Sequence, residues 1–188
     1  MIHASRRHFL RTAAPLAFFP TTALAALNAC SGDGAMSNKA EGTLQDGQGA
    51  VRKLDKPEQE WQKVLSEGEY DVLFNEATER AGSSPLDSEK RAGTFVCAAC
   101  YLPLFESTAK FDSGTGWPSF SQPIGGHVET RRDFKLIWPR TEYHCARCGG
   151  HQGHIFNDGP NPTGKRYCNN GIALRFVQAS EQLPELRG

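Results

Sequence analysis

The chain has 188 residues, 38% hydrophobic and 22% charged, a composition that fits one globular domain with appendages. Lys and Arg balance Asp and Glu at 21 each, so no electrostatic footprint for nucleic acid or an anionic membrane shows up. The balance is uneven along the chain: Arg6, Arg7 and Arg11 precede the first acidic residue, Asp33, and from Cys30 onward 18 basic residues face 21 acidic ones.

Ser5-Arg-Arg-His-Phe-Leu-Arg11 is followed by an uncharged, largely apolar stretch, Thr12 to Ala29, which makes residues 1–29 a secretory signal. The competing reading is a transmembrane anchor, but Pro15 and Pro20 interrupt a stretch that barely reaches the roughly 20 residues a spanning helix needs. The arginine pair followed by Phe-Leu resembles the twin-arginine export signal, which carries cargo already folded. Such a route would protect thiols loaded with metal in a reducing cytosol. Leu27-Asn28-Ala29-Cys30 resembles a lipoprotein cleavage box, and Ala23-Leu24-Ala25 offers an ordinary cleavage site instead. The expectation is a lipid anchor at Cys30 and a place outside the cytoplasm, in the periplasm or cell envelope. Residues 30–53, rich in Gly, Ser, Asn and Asp, read as a flexible linker, 54–180 as the folded domain and 181–188 as a C-terminal tail.

Within the domain, Asp55-Lys56-Pro57 opens a helix with Trp61, Val64 and Leu65 on one face and Gly68 at its end. A second helical run carries Tyr70, Leu73, Phe74 and Ala77, and Gly82 follows it. Residues 82–93 are polar and turn-rich. Short β-type runs then occur at 94–97, 101–105, 126–131, 134–138, 141–145 and 172–177, separated by Gly and Pro clusters, which predicts a mainly β, antiparallel architecture behind the helices.

Cys97-Ala-Ala-Cys100 and Cys145-Ala-Arg-Cys148 form two CxxC pairs, the pattern of a closed, tetrahedral four-cysteine zinc site. The 44 residues between them exceed a small ribbon, so one structural Zn2+ would staple two distant segments. A redox-active dithiol is the alternative, weakened by the presence of two such pairs. Cys168 is then the one domain cysteine left over. A buried small hydrophobe is its bland reading. Arg166 and Asn170 beside it favour a stabilised thiolate instead. His151 and His154 read as a metal pair or as hydrogen-bonded loop residues, and Trp117, in a Gly-rich loop, as ordinary core.

Phe111-Asp-Ser-Gly-Thr-Gly-Trp-Pro-Ser-Phe120, His151-Gln-Gly-His-Ile-Phe156, Asn157-Asp-Gly-Pro160 and Arg166-Tyr-Cys-Asn-Asn170, with the four cysteines, resemble methionine-R-sulfoxide reductases, also called type B methionine sulfoxide reductases. The resemblance covers about residues 55 to 178. It implies a β-tent fold and attack of Cys168 on the sulfoxide sulfur of oxidised protein methionine, leaving a sulfenic acid. It further implies His154 as the acid that protonates the departing oxygen, with His151 and Asn170 on the polar side of the pocket. Trp117 and Phe156 would form the apolar wall that reads chirality at sulfur. A thioredoxin-like thiol would restore Cys168. Two departures stand out: Thr115 occupies the slot where many members carry a resolving cysteine, and Asn169 replaces a common apolar residue. A non-catalytic zinc-stapled binding module and a thiol-disulfide oxidoreductase or metal chaperone are the competing readings.

Overall fold

The computed structural model describes residues 51–135 and 138–188. The expected signal, the expected lipoprotein box at Cys30 and most of the expected linker lie outside the described residues, as do Leu136 and Ile137.

Helix α1 (Glu58–Trp61) starts from Pro57, not from an Asp55 cap, and stops after one turn. Gly68 does not end it, as the sequence suggests, but lies inside α2 (Glu67–Asn75). The cause is a capping box at Ser66. Its hydroxyl accepts the Glu69 N–H, and the Glu69 carboxylate accepts the Ser66 N–H at 2.8 Å, which satisfies two orphan donors and starts a new helix. Glu76 closes α2 in a left-handed conformation, so Ala77 falls outside it and is exposed. Trp61, Leu65, Val72 and Leu73 turn to the core, while Val64 does not.

Among the described residues the strands are β1 (Gly93–Cys97), β2 (Pro103–Glu106), β3 (Lys110–Phe111), β4 (Ser119–Phe120), β5 (Val128–Asp133), β6 (Arg140–Cys145), β7 (His151–Phe156), β8 (Arg166–Asn169) and β9 (Leu174–Gln178). They pair antiparallel in two sheets, ordered β2-β1-β9 and β3-β4-β8-β7-β6-β5. The mainly β, antiparallel class read from the sequence is therefore the one observed. The run at 134–138 is a correction. Strand β5 stops at Asp133, whose carboxylate accepts the Lys135 N–H at 2.8 Å and turns the chain, leaving Phe134 and Trp138 exposed outside any strand.

The two sheets face each other across a cluster of aromatic rings. Phe105 of β2 stacks on Phe120 of β4 with centroids 4.1 Å apart and meets Tyr167 of β8 edge-on at 6.0 Å. Each such ring removes on the order of 150–250 Å² from water on burial, which makes this cluster the main tie between the sheets. Both ends of the described chain are held at the cysteine turns. The Leu54 N–H donates to the Arg147 carbonyl at 2.7 Å, and the Arg187 N–H to the Cys100 carbonyl at 3.1 Å, with Leu186 packed on the core. The last residues of the expected tail are thus docked.

Candidate functional site

The two CxxC segments are built alike. In the first, the Cys97 N–H donates to the Leu102 carbonyl and Tyr101 N–H to the Cys97 carbonyl, both at 2.9 Å; in the second, Cys145 to Gly150 and Gly149 to Cys145 repeat the pattern at the same distance. The fourth residue after each leading cysteine has positive φ, 62° at Tyr101 and 76° at Gly149. Glycine takes that conformation freely, whereas Tyr101 pays a steric cost and is covered by the Arg187 guanidinium at 4.1 Å. The turns bring Cys97, Cys100, Cys145 and Cys148 together with all four sulfurs within 4.8 Å of one another. Cys97 and Cys148 sulfurs lie 3.7 Å apart and those of Cys100 and Cys145 3.5 Å. A tetrahedron with metal–sulfur bonds of about 2.3 Å has edges of about 3.8 Å, so the cluster fits a single tetrahedrally held ion.

The second centre is a line of side chains across the larger sheet. Phe111, Ser119, Cys168, His154, Glu142 and Arg131 are successive cross-strand partners from β3 to β5. Directly opposed residues share a face, so one file carries the thiol, the imidazole and the carboxylate side by side. His151, three residues before His154, would point to the opposite face of a regular strand. A register shift between Tyr143 and His144 pairs His144 with His151 and Tyr143 with Gly153, and this bulge turns His151 back to the His154 face. The two rings meet edge-on with centroids 5.4 Å apart. Gly153 between them has no alternative, because a Cβ there would lie 1.9 Å from the Cys168 carbonyl oxygen.

Each histidine is held by a carboxylate that the sequence reading did not single out. His151 Nδ1 donates to Glu142 Oε1 at 2.7 Å, while its Nε2 is buried with no partner among the described residues. His154 Nε2 contacts Asp133 Oδ2 at 2.8 Å, and Arg140 holds the same oxygen at 2.6 Å. Burial pushes the His154 imidazole below its ordinary value, with Arg140 and His151 acting the same way and Asp133 pulling against them. Asp133 itself is held far below the carboxylate range, first by the Lys135 N–H and then by His154 and Arg140. Glu142 is also lowered: burial opposes the shift, but His151 and Arg131 outweigh it.

Cys168 is half-buried. Burial pushes its thiol up, against the Arg166 guanidinium and the hydrogen bonds from Thr115 and Arg166 that favour the thiolate. Arg166 grips Asp158 through two hydrogen bonds of 2.8 Å and lies over the Phe156 ring at 4.4 Å. Thr115, in the slot of the absent cysteine, belongs to a hydroxyl chain in which Ser113 bridges Thr115 and Ser119 at 2.8 Å each. The Trp117 indole N–H donates to the Glu79 carbonyl at 3.2 Å, and the Asn170 side chain is taken up by backbone, accepting from Glu79 N–H at 3.0 Å and donating to the Gln152 carbonyl at 3.1 Å. Glu79 thus ties the expected pocket wall to the segment after Cys168, and its carboxylate accepts the Gly171 and Ile172 N–H groups. Phe156 stands two residues beyond His154 on the same face of β7.

The fold and these two centres define an antiparallel β domain whose four-cysteine cluster is separate from a Cys–His–carboxylate row on the surface of its larger sheet. The chain belongs to the SelR family: a SelR domain matches residues 65–178, the span holding every strand among the described residues and both centres. It is 53% identical over 125 residues to the peptide methionine sulfoxide reductase MsrB of Bradyrhizobium diazoefficiens, covering 66% of this chain and 90% of that one. Against the protein of the same name from Methanosarcina barkeri the identity is 47%, covering 70% and 94%. The chloroplastic peptide methionine sulfoxide reductase B1 of Arabidopsis thaliana is 50% identical over 63% of this chain, which spans only 59% of that longer relative.

Proposed function

We propose that this chain, by family a peptide-methionine (R)-S-oxide reductase, repairs oxidised proteins outside the cytoplasm using Cys168 as its nucleophile. The observation that carries the mechanism is the direct cross-strand opposition of Cys168 and His154, whose Cα atoms such pairing holds about 4.5–5.5 Å apart. With the thiol raised and the imidazole lowered, the resting pair is neutral. On this reading the Cys168 proton passes through His154 to the sulfoxide oxygen as the sulfur–sulfur contact forms. Thiol and sulfoxide become sulfenic acid and thioether: the cysteine sulfur loses two electrons, the methionine sulfur gains them, and no outside proton is consumed. His151 Nε2 is buried and without a partner among the described residues; with Nδ1 donating to Glu142 it can accept the O–H that forms on that oxygen, and Trp117 with Phe156 forms the apolar side that takes the methyl group.

An external thioredoxin-like thiol then attacks the sulfenic acid, releasing water, and a second thiol frees Cys168 as thiol. The ion in the four-cysteine cluster is zinc, which braces the fold and leaves no coordination position for substrate. Export by the twin-arginine route, with a lipid anchor at Cys30, rests on the Arg6-Arg7 and Leu27-Asn-Ala-Cys30 motifs. The reading is tested with epimerically pure peptides: the R sulfoxide should be reduced, the S sulfoxide not, and Cys168→Ser should reduce neither. Equal turnover of both epimers would refute it.

A further inference from the structure

Behind the reactive row, on the face turned to the core, Tyr143, Gln152 and Asn169 are polar and fully buried. Burying such groups is tolerated only when they are paired, and these are paired in a chain. The Asn169 amide nitrogen donates to the Asn170 carbonyl at 2.8 Å and to Gln152 Oε1 at 3.3 Å, while its oxygen accepts the Tyr143 hydroxyl at 2.6 Å. Gln152 Nε2 then lies 3.6 Å from Cys97 Sγ.

The orientation of each amide follows from the one before it. A backbone carbonyl can only accept, so the Asn169 nitrogen must face Asn170. That places an N–H against the Gln152 side chain, which must answer with its oxygen. Gln152 is left with its N–H groups toward the Cys97 sulfur. A donor aimed at sulfur stabilises a thiolate and does little for a thiol. Asn169 adjoins Cys168 on β8, and Gln152 lies between His151 and Gly153 on β7.

We propose that Gln152 and Asn169 are positioning residues for the four-cysteine metal site, Asn169 aiming the Gln152 amide at the Cys97 thiolate so that metal retention depends on the strand that carries the nucleophile. The proposal rests on the reading of the four cysteines as a metal site. It accounts for the departure of Asn169 from an apolar residue and for a polar file through the core.

The experiment follows release of zinc from the loaded full-length protein to a chromophoric chelator. Partners of metal-ligand atoms are typically worth about 10–100-fold in metal affinity. Gln152→Met, nearly isosteric, and Asn169→Ile should therefore each release zinc about 10–100-fold faster. Tyr143→Phe, which leaves the Gln152–Cys97 contact in place, should release it at the wild-type rate. Should Asn169→Ile fail to fold, the triple variant Tyr143→Phe/Gln152→Met/Asn169→Ile replaces the whole polar file with apolar groups and should behave as Gln152→Met does. In cobalt-loaded protein, losing the N–H donor should move the sulfur-to-metal charge-transfer band of Gln152→Met to lower energy. Wild-type release and an unmoved band in Gln152→Met overturn the proposal, as does equal acceleration in Tyr143→Phe. A wild-type chain that takes up neither zinc nor cobalt refutes the metal-site reading instead.

Discussion

His154 and Cys168 face each other across the β7–β8 ladder, and Asp133, at the far end of β5, holds the His154 ring from behind. That arrangement makes Asp133 a positioning residue for the acid. His154→Ala should slow single-turnover sulfoxide reduction by about 10²–10⁴, the usual worth of a general acid. Asp133→Asn removes the charge that opposes burial at His154, so the imidazole should fall further and the acid limb of the single-turnover pH profile should move to lower pH. An unchanged profile in Asp133→Asn, or an unchanged rate in His154→Ala, would show that the oxygen is protonated from elsewhere.

Burial dominates at Cys168, so its thiol should titrate above the ordinary cysteine value, which peptides place at about 8.5. Alkylation of zinc-loaded protein, followed by mass at Cys168, should keep rising through that value. Removing the guanidinium with Arg166→Gln should push the midpoint higher and slow alkylation at neutral pH. A midpoint well below the ordinary value would mean that Arg166 and Thr115 outweigh desolvation.

The parts of the fold legible in the sequence were those written as repeats or alternation. The two CxxC pairs announced the cluster outright, and the β-type runs at 94–97, 101–105, 126–131, 141–145 and 172–177 announced β1, β2, β5, β6 and β9. Strands β7 and β8 did not, although they carry the reactive residues. Each has one apolar core-facing residue, Ile155 and Tyr167; the other core-facing positions are Gly153, Asn169 and the polar Gln152, so no hydrophobic period marks them. His151 was legible as a residue and not as a position, since a bulge sets its face. Asp133, Glu142 and Glu79 were missed for a related reason. Carboxylates 9 or 21 residues from the histidines they hold, or 92 from Gly171, leave no local signal, and only the sheet register and the loop after Asn75 bring them in.

One metal ion per chain is expected. Cys97→Ser or Cys145→Ser should lose it together with most of the folding stability, because the ion ties the end of β1 to the end of β6 and metal binding is linked to folding. Metal analysis and thermal denaturation with and without a chelator measure this. A metal-free protein that melts where the loaded one does would refute a bracing role.

Stability should fall on acidification, starting near neutral pH. His154, Asp133 and Glu142 all have folded values below their ordinary ones, so the unfolded chain takes up protons first. Their contribution is present above the ordinary histidine value of 6.5 and is lost as pH falls, first through His154 and then through the two carboxylates. Melting temperature should therefore drop from about pH 7 downward, through His154 first and, below about pH 5, through the two carboxylates. Asp133→Asn should flatten the lower part of that slope, and a melting temperature that holds constant through this range would contradict these shifts.

Regeneration of Cys168 turns on a residue outside the described part of the chain. Thr115 lies where a resolving cysteine would stand and offers a hydroxyl to Cys168, and the other described cysteines belong to the cluster. Cys30 is the remaining cysteine. If it is lipidated it cannot form a disulfide, and after one equivalent of substrate without reductant a sulfenic acid trappable on Cys168 should remain. Cleavage after Ala25 would instead leave the Cys30 thiol free to react with the Cys168 sulfenic acid. That form would give a Cys30–Cys168 disulfide in the peptide map. The expected outcome for native protein is the sulfenic acid, an intact mass carrying lipid at Cys30, and recovery of thiol only on adding an external dithiol. Finding the disulfide would overturn both the anchor and the external reductant, because the two rest on the same sulfur being blocked.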